Sequence, residues 1–329
     1  MLVPKGYNYK HILLIEITKM NLSGKPILLI SVIILSLFSG CIKDDYKDCV
    51  QGINVTFYSK TPCDIDASYP EQIKDITMGV FDKNGILVSS KQVNDTKLQK
   101  DFRQTIETES GLYTVIAWSG LEADHYDIST LKIGSTTKNG LLFRLKRAAQ
   151  KALSIDRTRV YYGESPAVYV PQADNSESIF ENTAINMQEI TNRITISVEG
   201  LLRAEEYEIG IESDNGSMNV NGSIASDEVI EHSAEHIIRA GVMEARFTLL
   251  KLETGHNNNI IIKSKLNGAE LYRGSLLGTL LLKNPDVNLA CDHDFTIRFT
   301  TKDQCSCGTY TIMEIWVNNW LVHSYETEM

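Results

Sequence analysis

Beyond residue 50, apolar and polar residues alternate along the chain, which is the pattern of β-strands with one buried face. In the stretch GINVTFY (52–58), for example, the side chains of Ile53, Val55 and Phe57 fall on one face. The same signal recurs in short segments that are separated by turn-forming residues. It predicts further strands at 76–81, 86–88, 111–118, 160–163, 167–170, 184–188, 192–200, 207–211, 245–252, 260–266, 295–300 and 311–317.

One pair of these strands is predicted to form a hairpin. The stretches ITMGVF (76–81) and ILV (86–88) flank a connection that contains Asn84 and Gly85. An Asn-Gly pair readily adopts the positive backbone angles of a tight chain reversal.

The strand segments fall into two sets, which indicates two domains in a chain of 329 residues. We place the boundary near residue 190, so that residues 49–190 form an N-terminal β-sandwich and residues 191–329 a C-terminal one. The predicted fold class is all-β, with two tandem and mostly antiparallel sandwiches. Residues 120–157 are rich in Leu, Lys and Ala, and we expect a short helix there.

An apolar run near the amino terminus is typical of an export signal. The stretch PILLISVIILSLF (26–38) is shorter than the roughly 20 residues that span a bilayer, and Lys25 precedes it. We interpret Met20 as the start of the signal and residues 1–19 as an upstream extension. The run ends in FSGC, which resembles the bacterial lipobox, with cleavage between Gly40 and Cys41 and a lipid on the Cys41 thiol.

The lipobox assignment places the protein on a membrane. Two or three acyl chains, each contributing about 0.8 kcal/mol per buried CH₂, hold a protein on a bilayer essentially without release. Residues 41–48 then form an acidic tether, in which Lys43, Asp44 and Asp45 resemble the signal that sends lipoproteins of Bacteroidetes to the cell surface. We therefore expect a protein that is lipid-anchored in the outer membrane and exposed on the cell surface. A solvated tether without an export role is the alternative.

Net charge and motifs exclude several functional classes. With 32 basic and 42 acidic residues the formal charge is −10, which argues against a nucleic-acid partner. The stretch His232-Ser233-Ala234-Glu235-His236 matches the H-x-x-E-H pattern of some zinc enzymes, but its surroundings indicate a connector between strands. We predict no enzyme and no cofactor.

Five cysteines follow Cys41, and an exported chain allows disulfides between them. Cys49 and Cys63 could close a small loop around the first strand, and the odd number leaves at least one thiol unpaired or bonded to another chain. A second group, which comprises Cys291, His293, Cys305 and Cys307, could instead bind zinc. The gaps between neighbouring ligands in this group are shorter than those that structural zinc sites favour, so we predict no metal.

Four aromatic residues could form a sugar-binding platform, although their positions inside strand patterns favour packing in the core or on a sheet. They are Tyr113, Trp118, Trp316 and Trp320.

Several motifs follow one another along the chain: the lipobox followed by Asp44-Asp45, the stretch CVQGINVTF (49–57), ITMGVFDKNGILV (76–88), SGLYTVIAW (110–118), VYYG (160–163) and NRITISVEGL (192–201). Their order resembles that in the fimbrial anchor subunits of Bacteroidales, the FimB-like lipoproteins of type V pili. Two departures are Val50, where proline is common in that family, and the extra pair Cys305 and Cys307, which the resemblance does not place.

The resemblance implies transthyretin-like sandwiches and a role in assembly. Pilus subunits of this type polymerise when a strand of one subunit enters a groove of its neighbour, which satisfies open backbone groups and buries apolar side chains. The implied partners are fimbrial stalk or accessory subunits, and the candidate joining strands are 52–59 and 311–324, either of which could instead complete its own sandwich. A pilus tip adhesin, a glycan-binding surface lipoprotein and an exported metalloenzyme are the alternatives.

Overall fold

The computed structural model describes residues 50–156, 158–173, 177–232, 234–283, 286–303 and 309–325. Within these ranges, no helix is both long and apolar enough to cross a bilayer. The predicted extension and signal peptide and the predicted tether lie outside them, so these expectations stay predictions. The residues concerned are 1–40, Cys41, Lys43, Asp44, Asp45 and Cys49.

Strands make up most of the described chain. Those before residue 190 are β1 (Gln51–Tyr58), β2 (Ile76–Asp82), β3 (Leu87–Val93), β4 (Arg103–Glu107), β5 (Gly111–Ser119), β6 (Tyr126–Ile128), β7 (Leu141–Leu145), β8 (Arg147–Ala148), β9 (Lys151–Ala152), β10 (Tyr161–Glu164), β11 (Val168–Val170), β12 (Ile179–Asn186) and β13 (Gln188–Glu189).

The elements after residue 190 include one short α-helix, whose first turn is capped by the Ser275 hydroxyl. They are β14 (Asn192–Glu199), β15 (Tyr207–Ser213), β16 (Ser217–Asn219), β17 (Ile230–His232), β18 (His236–Arg239), β19 (Val242–Leu249), β20 (Asn258–Ser264), β21 (Glu270–Ser275), α1 (Leu276–Leu281), β22 (Asp294–Asp303), β23 (Tyr310–Val317) and β24 (Trp320–Ser324).

Two sheets build the first sandwich. One has the strand order β12-β1-β4, and the other has the order β13-β10-β5-β2-β3, with β11 added to β5. Their inner faces meet in a core to which β1 contributes Ile53, Val55 and Phe57, the three residues that the alternation places on one face. The predicted hairpin is confirmed, because β2 pairs with β3 and Gly85 in the turn has φ +73°.

Two further sheets build the second sandwich, with strand orders β18-β19-β14-β22-β23-β24 and β21-β20-β15-β17-β9-β8. Their shared core contains the inward residues of β14 and β22, including Ile194, Ile196 and Phe299. The all-β prediction is therefore confirmed. Most neighbouring strands are antiparallel, but three pairs in the described ranges are parallel: β1 with β12, β14 with β22, and β17 with β9.

The helix expected within 120–157 is wrong. The described part of this segment forms β6 to β9, whose partners include strands far along the chain: β7 pairs with β16, and β9 pairs with β17. Its residues Phe143 and Leu145 share a third core with Met218 and Ile230. Long-range pairing has overridden the local helical composition.

These pairings cross residue 190, and the described residues belong to one compact unit. The domain boundary placed at that residue stays a prediction.

A buried ion pair also crosses residue 190: Nη2 of Arg147 lies 2.6 Å from Oδ2 of Asp227, whose side chain is only 3% exposed. Burial raises the pKa of Asp227, but hydrogen bonds from Arg147 and Ser217 outweigh it and lower that pKa overall.

Candidate functional site

The N-terminal candidate strand lies in the middle of a sheet. β1 is hydrogen-bonded to β12 along one edge and to β4 along the other, and its apolar face is buried. No backbone edge of β1 is left for a further strand, because both are already paired. Of the two alternatives for residues 52–59, the structure supports the one in which the strand completes its own sandwich.

The C-terminal candidate forms a hairpin at the rim of the second sandwich. β23 and β24 are joined by Asn318 and Asn319, whose φ values of 46° and 68° suit the tight turn that asparagine favours. β24 is the last strand of its sheet, and no other strand among the described residues pairs with its outer edge. As far as the described residues show, its outward backbone groups are therefore open to an incoming strand.

The side chains of β24 do not protect this edge. Edge strands commonly carry charges that discourage pairing with other chains. In the described part of the chain, every other edge strand of four or more residues carries at least one charged side chain. By contrast, β24 has the sequence WLVHS and contains no Asp, Glu, Lys or Arg. The charged residues on the other edges are Lys91 on β3, Arg103 and Glu107 on β4, Glu181 on β12, Arg239 on β18, and Glu270 and Arg273 on β21.

Apolar side chains surround the open edge. Trp320 is 49% exposed, Leu321 43% and Tyr325 55%. Trp316, which lies opposite Leu321 across the hairpin, is held in place because its Nε1 donates to Oε2 of Glu314 over 2.8 Å and Arg298 lies 4.9 Å from its ring centroid. Leu321 lies within the candidate strand 311–324, whereas Tyr325 lies one residue beyond it and was not predicted.

Trp118 is a core residue. It is 3% exposed, its Nε1 donates to the Val220 carbonyl over 2.9 Å, and its ring centroid lies 5.5 Å from that of Phe143. Tyr113 is also buried. The packing interpretation of these two residues is confirmed, and neither can serve as a sugar platform.

The pairing of Cys63 with Cys49, which the sequence spacing allows, is not the one in this structure. Cys63 is instead bonded to Cys291, with an S–S distance of 2.06 Å. The loop after β1 and the turn before β22 lie side by side, and Nδ2 of Asn288 is 3.5 Å from the Cys63 sulfur. Because the Cys291 sulfur is used in this bond, it is not free to hold zinc. Cys305 and Cys307 lie outside the described residues.

The described residues of the H-x-x-E-H stretch do not form a helix, as its surroundings predict. His232 ends β17 and His236 begins β18, and these strands belong to different sheets. Nε2 of His236 accepts from the Ile209 backbone N–H over 2.8 Å, which occupies that nitrogen. In the described ranges, no three His, Cys, Asp or Glu side chains are grouped so that they could hold a metal ion.

His232 belongs to a buried polar network. Its Nε2 lies 2.8 Å from Oγ of Ser213, which in turn lies 2.6 Å from Oδ1 of Asn215. The Asn215 oxygen can only accept, so the Ser213 hydroxyl donates to it and accepts from Nε2–H of His232. Burial, with a smaller contribution from the positive charge of Arg147, lowers the pKa of His232 to about 4.

Comparison with known proteins decides the family. A family model described as "Mfa2: Fimbrillin-A associated anchor proteins Mfa1 and Mfa2" matches residues 46–326. The chain belongs to this family of fimbrial anchor proteins. The resemblance to fimbrial anchor subunits seen in the sequence motifs is thereby confirmed, and the Mfa2 family is one of structural anchoring subunits.

Two matches to Mfa2 itself extend over most of the chain. The minor fimbrium anchoring subunit Mfa2 of Porphyromonas gingivalis is 38% identical over 294 residues, which are 88% of this chain and 90% of that protein. The solved structure of the fimbrial anchor protein Mfa2 from Porphyromonas gingivalis has a TM-score of 0.79 and covers 84% of this chain and 100% of that one.

A more distant solved structure shares the fold. A candidate polysaccharide-binding protein from Bacteroides thetaiotaomicron has a TM-score of 0.67 at 19% identity, covering 84% of this chain and 98% of that one. At that identity the likeness establishes the fold alone.

Proposed function

We propose that this chain is the anchoring subunit of a cell-surface fimbrium, attached to the outer membrane by a lipid on Cys41 and joined to the next subunit by β-strand pairing at β24. The observation that carries the proposal is the 38% identity to the Mfa2 anchoring subunit over 90% of that protein. Its partners are the stalk or accessory subunits of the fibre, and its role is structural, without catalysis.

The membrane link is argued from the sequence. The apolar run at 26–38 ends in a small-residue pair and Cys41, which is the arrangement that a lipoprotein signal requires. Cleavage after Gly40 leaves Cys41 as the acylated amino terminus, and Lys43, Asp44 and Asp45 then direct the chain to the cell surface. The acyl chains keep the base of the fibre on the membrane.

Labelling with an alkyne analogue of palmitate tests the anchor. The wild-type chain is expected to take up label and to remain in the outer membrane fraction with its fibres. Cys41→Ala should lose the label and release fibres into the medium, whereas Cys49→Ala should behave as wild type. Immunogold labelling at the free end of the fibres, and not at the cell surface, would favour a tip subunit instead.

The open edge of β24 supports its role as the strand that joins the next subunit. An incoming strand would pair with its free backbone groups and cover the exposed side chains of Trp320, Leu321 and Tyr325. Placing a charge at Leu321 should weaken that contact without disturbing the core, because this side chain is 43% exposed.

The test compares Leu321→Lys with Leu202→Lys, a matched change at a leucine that is 70% exposed in the turn after β14, a strand separated from β24 by β22 and β23. Binding of purified stalk subunit should weaken at least tenfold for Leu321→Lys, which corresponds to about 1.4 kcal/mol, and should not change for Leu202→Lys. Thermal unfolding confirms that both variants are folded. Equal binding by the two variants would remove β24 as the joining strand.

A further inference from the structure

The Cys63–Cys291 disulfide joins two points that are distant in sequence but adjacent to the strands nearest the chain ends. Cys63 lies in the loop that follows β1, and Cys291 lies in the turn that precedes β22. The two residues are 228 positions apart, and their Cα atoms are 6.0 Å apart. The bond therefore encloses residues 64–290, which contain most of both sandwiches.

The strand on the amino-terminal side of the bond is held firmly. β1 pairs in parallel with β12 over eight residue pairs and antiparallel with β4 over five. These hydrogen bonds run across the strand direction, so a pull along β1 acts on many of them together and does not open them one after another.

The strand on the carboxyl-terminal side has the same construction. β22 pairs in parallel with β14 over seven residue pairs and antiparallel with β23 on its other side. The chain then passes through β23 into β24, the edge strand at which we place the contact with the fibre. A pull at this end therefore reaches β22 within two strands.

We propose that the Cys63–Cys291 disulfide limits how far the anchor can be stretched by its own fibre. This inference rests on the proposed function, in which tension acts between a lipid at the amino terminus and β24. With the bond intact, tension passes from the loop after β1 directly to the turn before β22, and residues 64–290 remain outside the path.

The length withheld from the pulled chain is large. An extended peptide spans about 3.3–3.6 Å per residue, so the 228-residue separation corresponds to about 800 Å. If either sandwich opened under load, the bond would prevent that length from being drawn out. The surrounding strands could then re-form around a fixed covalent link.

Single-molecule stretching of the mature chain, residues 41–329, tests the limit. Cys41→Ser removes the lipid, and a protein handle is fused to each terminus. When fully unfolded by the pull, the oxidised protein should reach a total end-to-end extension about 800 Å shorter than that of the same chain carrying Cys63→Ser and Cys291→Ser. Cys305→Ser with Cys307→Ser is the matched control and should keep the short extension.

Stretching the parent protein after reduction provides a second measurement that does not depend on how the serine variant folds, and the long extension is expected there. If the oxidised parent reaches the same extension as the Cys63→Ser and Cys291→Ser chain, the proposal is overturned. Failure of the anchoring function itself would appear in the labelling and release experiments and would leave this length difference unchanged.

Retention of fibres on cells under flow tests whether the disulfide protects the anchor when the fibre is under tension. Cells with Cys63→Ser and Cys291→Ser should carry as many fibres as wild type in still medium and should lose them faster as shear increases. Equal retention of fibres by both strains at every shear rate would show that the bond does not protect the anchor.

Discussion

The buried His232 makes a prediction about acid stability. In the folded protein its pKa is about 4, whereas an unperturbed histidine titrates near 6.5. A charged imidazole at this position would lose its hydration, and among the described residues the side-chain partner of Nε2 is the neutral hydroxyl of Ser213.

The direction in which stability changes with pH follows from proton binding in the folded and unfolded states. Above pH 6.5 the imidazole is neutral in both the folded and the unfolded chain, so it adds no pH dependence. As the pH falls from 6.5 to 4, the unfolded chain binds a proton that the folded chain does not, and the folded state loses stability. A shift of about 2.5 pH units corresponds to a loss of about 3 kcal/mol, complete below pH 4.

Urea unfolding between pH 4 and 8 measures this loss, with His232→Gln as the comparison. Glutamine can donate to Ser213 but does not titrate in this range. Carboxylates contribute equally to both proteins, so the free energy of unfolding of wild type should fall by about 3 kcal/mol more than that of the variant. An imidazole NMR titration of wild type gives the pKa directly. Parallel pH profiles, or a His232 pKa near 6.5, would refute the reasoning.

Two further predictions concern the junction between the halves of the chain. Trp118→Ala removes a buried ring and its hydrogen bond and should lower the free energy of unfolding by about 3–5 kcal/mol; a urea midpoint unchanged from wild type would contradict its place in the core. Arg147→Met leaves the carboxylate of Asp227 buried without its cation and should cost about 3–5 kcal/mol, whereas the pair Arg147→Met with Asp227→Leu should recover most of that loss. Failure of the double variant to recover stability would show that the two residues contribute independently.

The strands that could be predicted are those in which apolar and polar residues alternate, so that the sequence itself shows which face is buried. Ile53, Val55 and Phe57 alternate with polar residues because one face of β1 packs against the opposite sheet. The turn at Gly85 was predictable for a similar reason, since a glycine relieves the steric cost of its positive φ. Family membership was also readable, because short motifs keep their order along the chain.

The failed predictions depended on residues far away in sequence. Residues 141–145 form a strand because Ser217–Asn219 pair with them, and nothing in their local composition signals that partner. The sequence allowed a bond between Cys63 and the nearby Cys49, but chain proximity does not decide which sulfur lies within bonding distance. Cys291 lies there because the two sandwiches pack so that the loop after β1 meets the turn before β22.

The sequence by itself determined that the chain is built from strands, where most of them run and to which family it belongs, because these depend on local alternation and on motifs. Only the tertiary structure decided that β1 is central while β24 is an open edge, and that Cys63 is bonded to Cys291. The physical reason is that strand order and sulfur pairing depend on contacts between residues up to 228 positions apart, which no local pattern encodes.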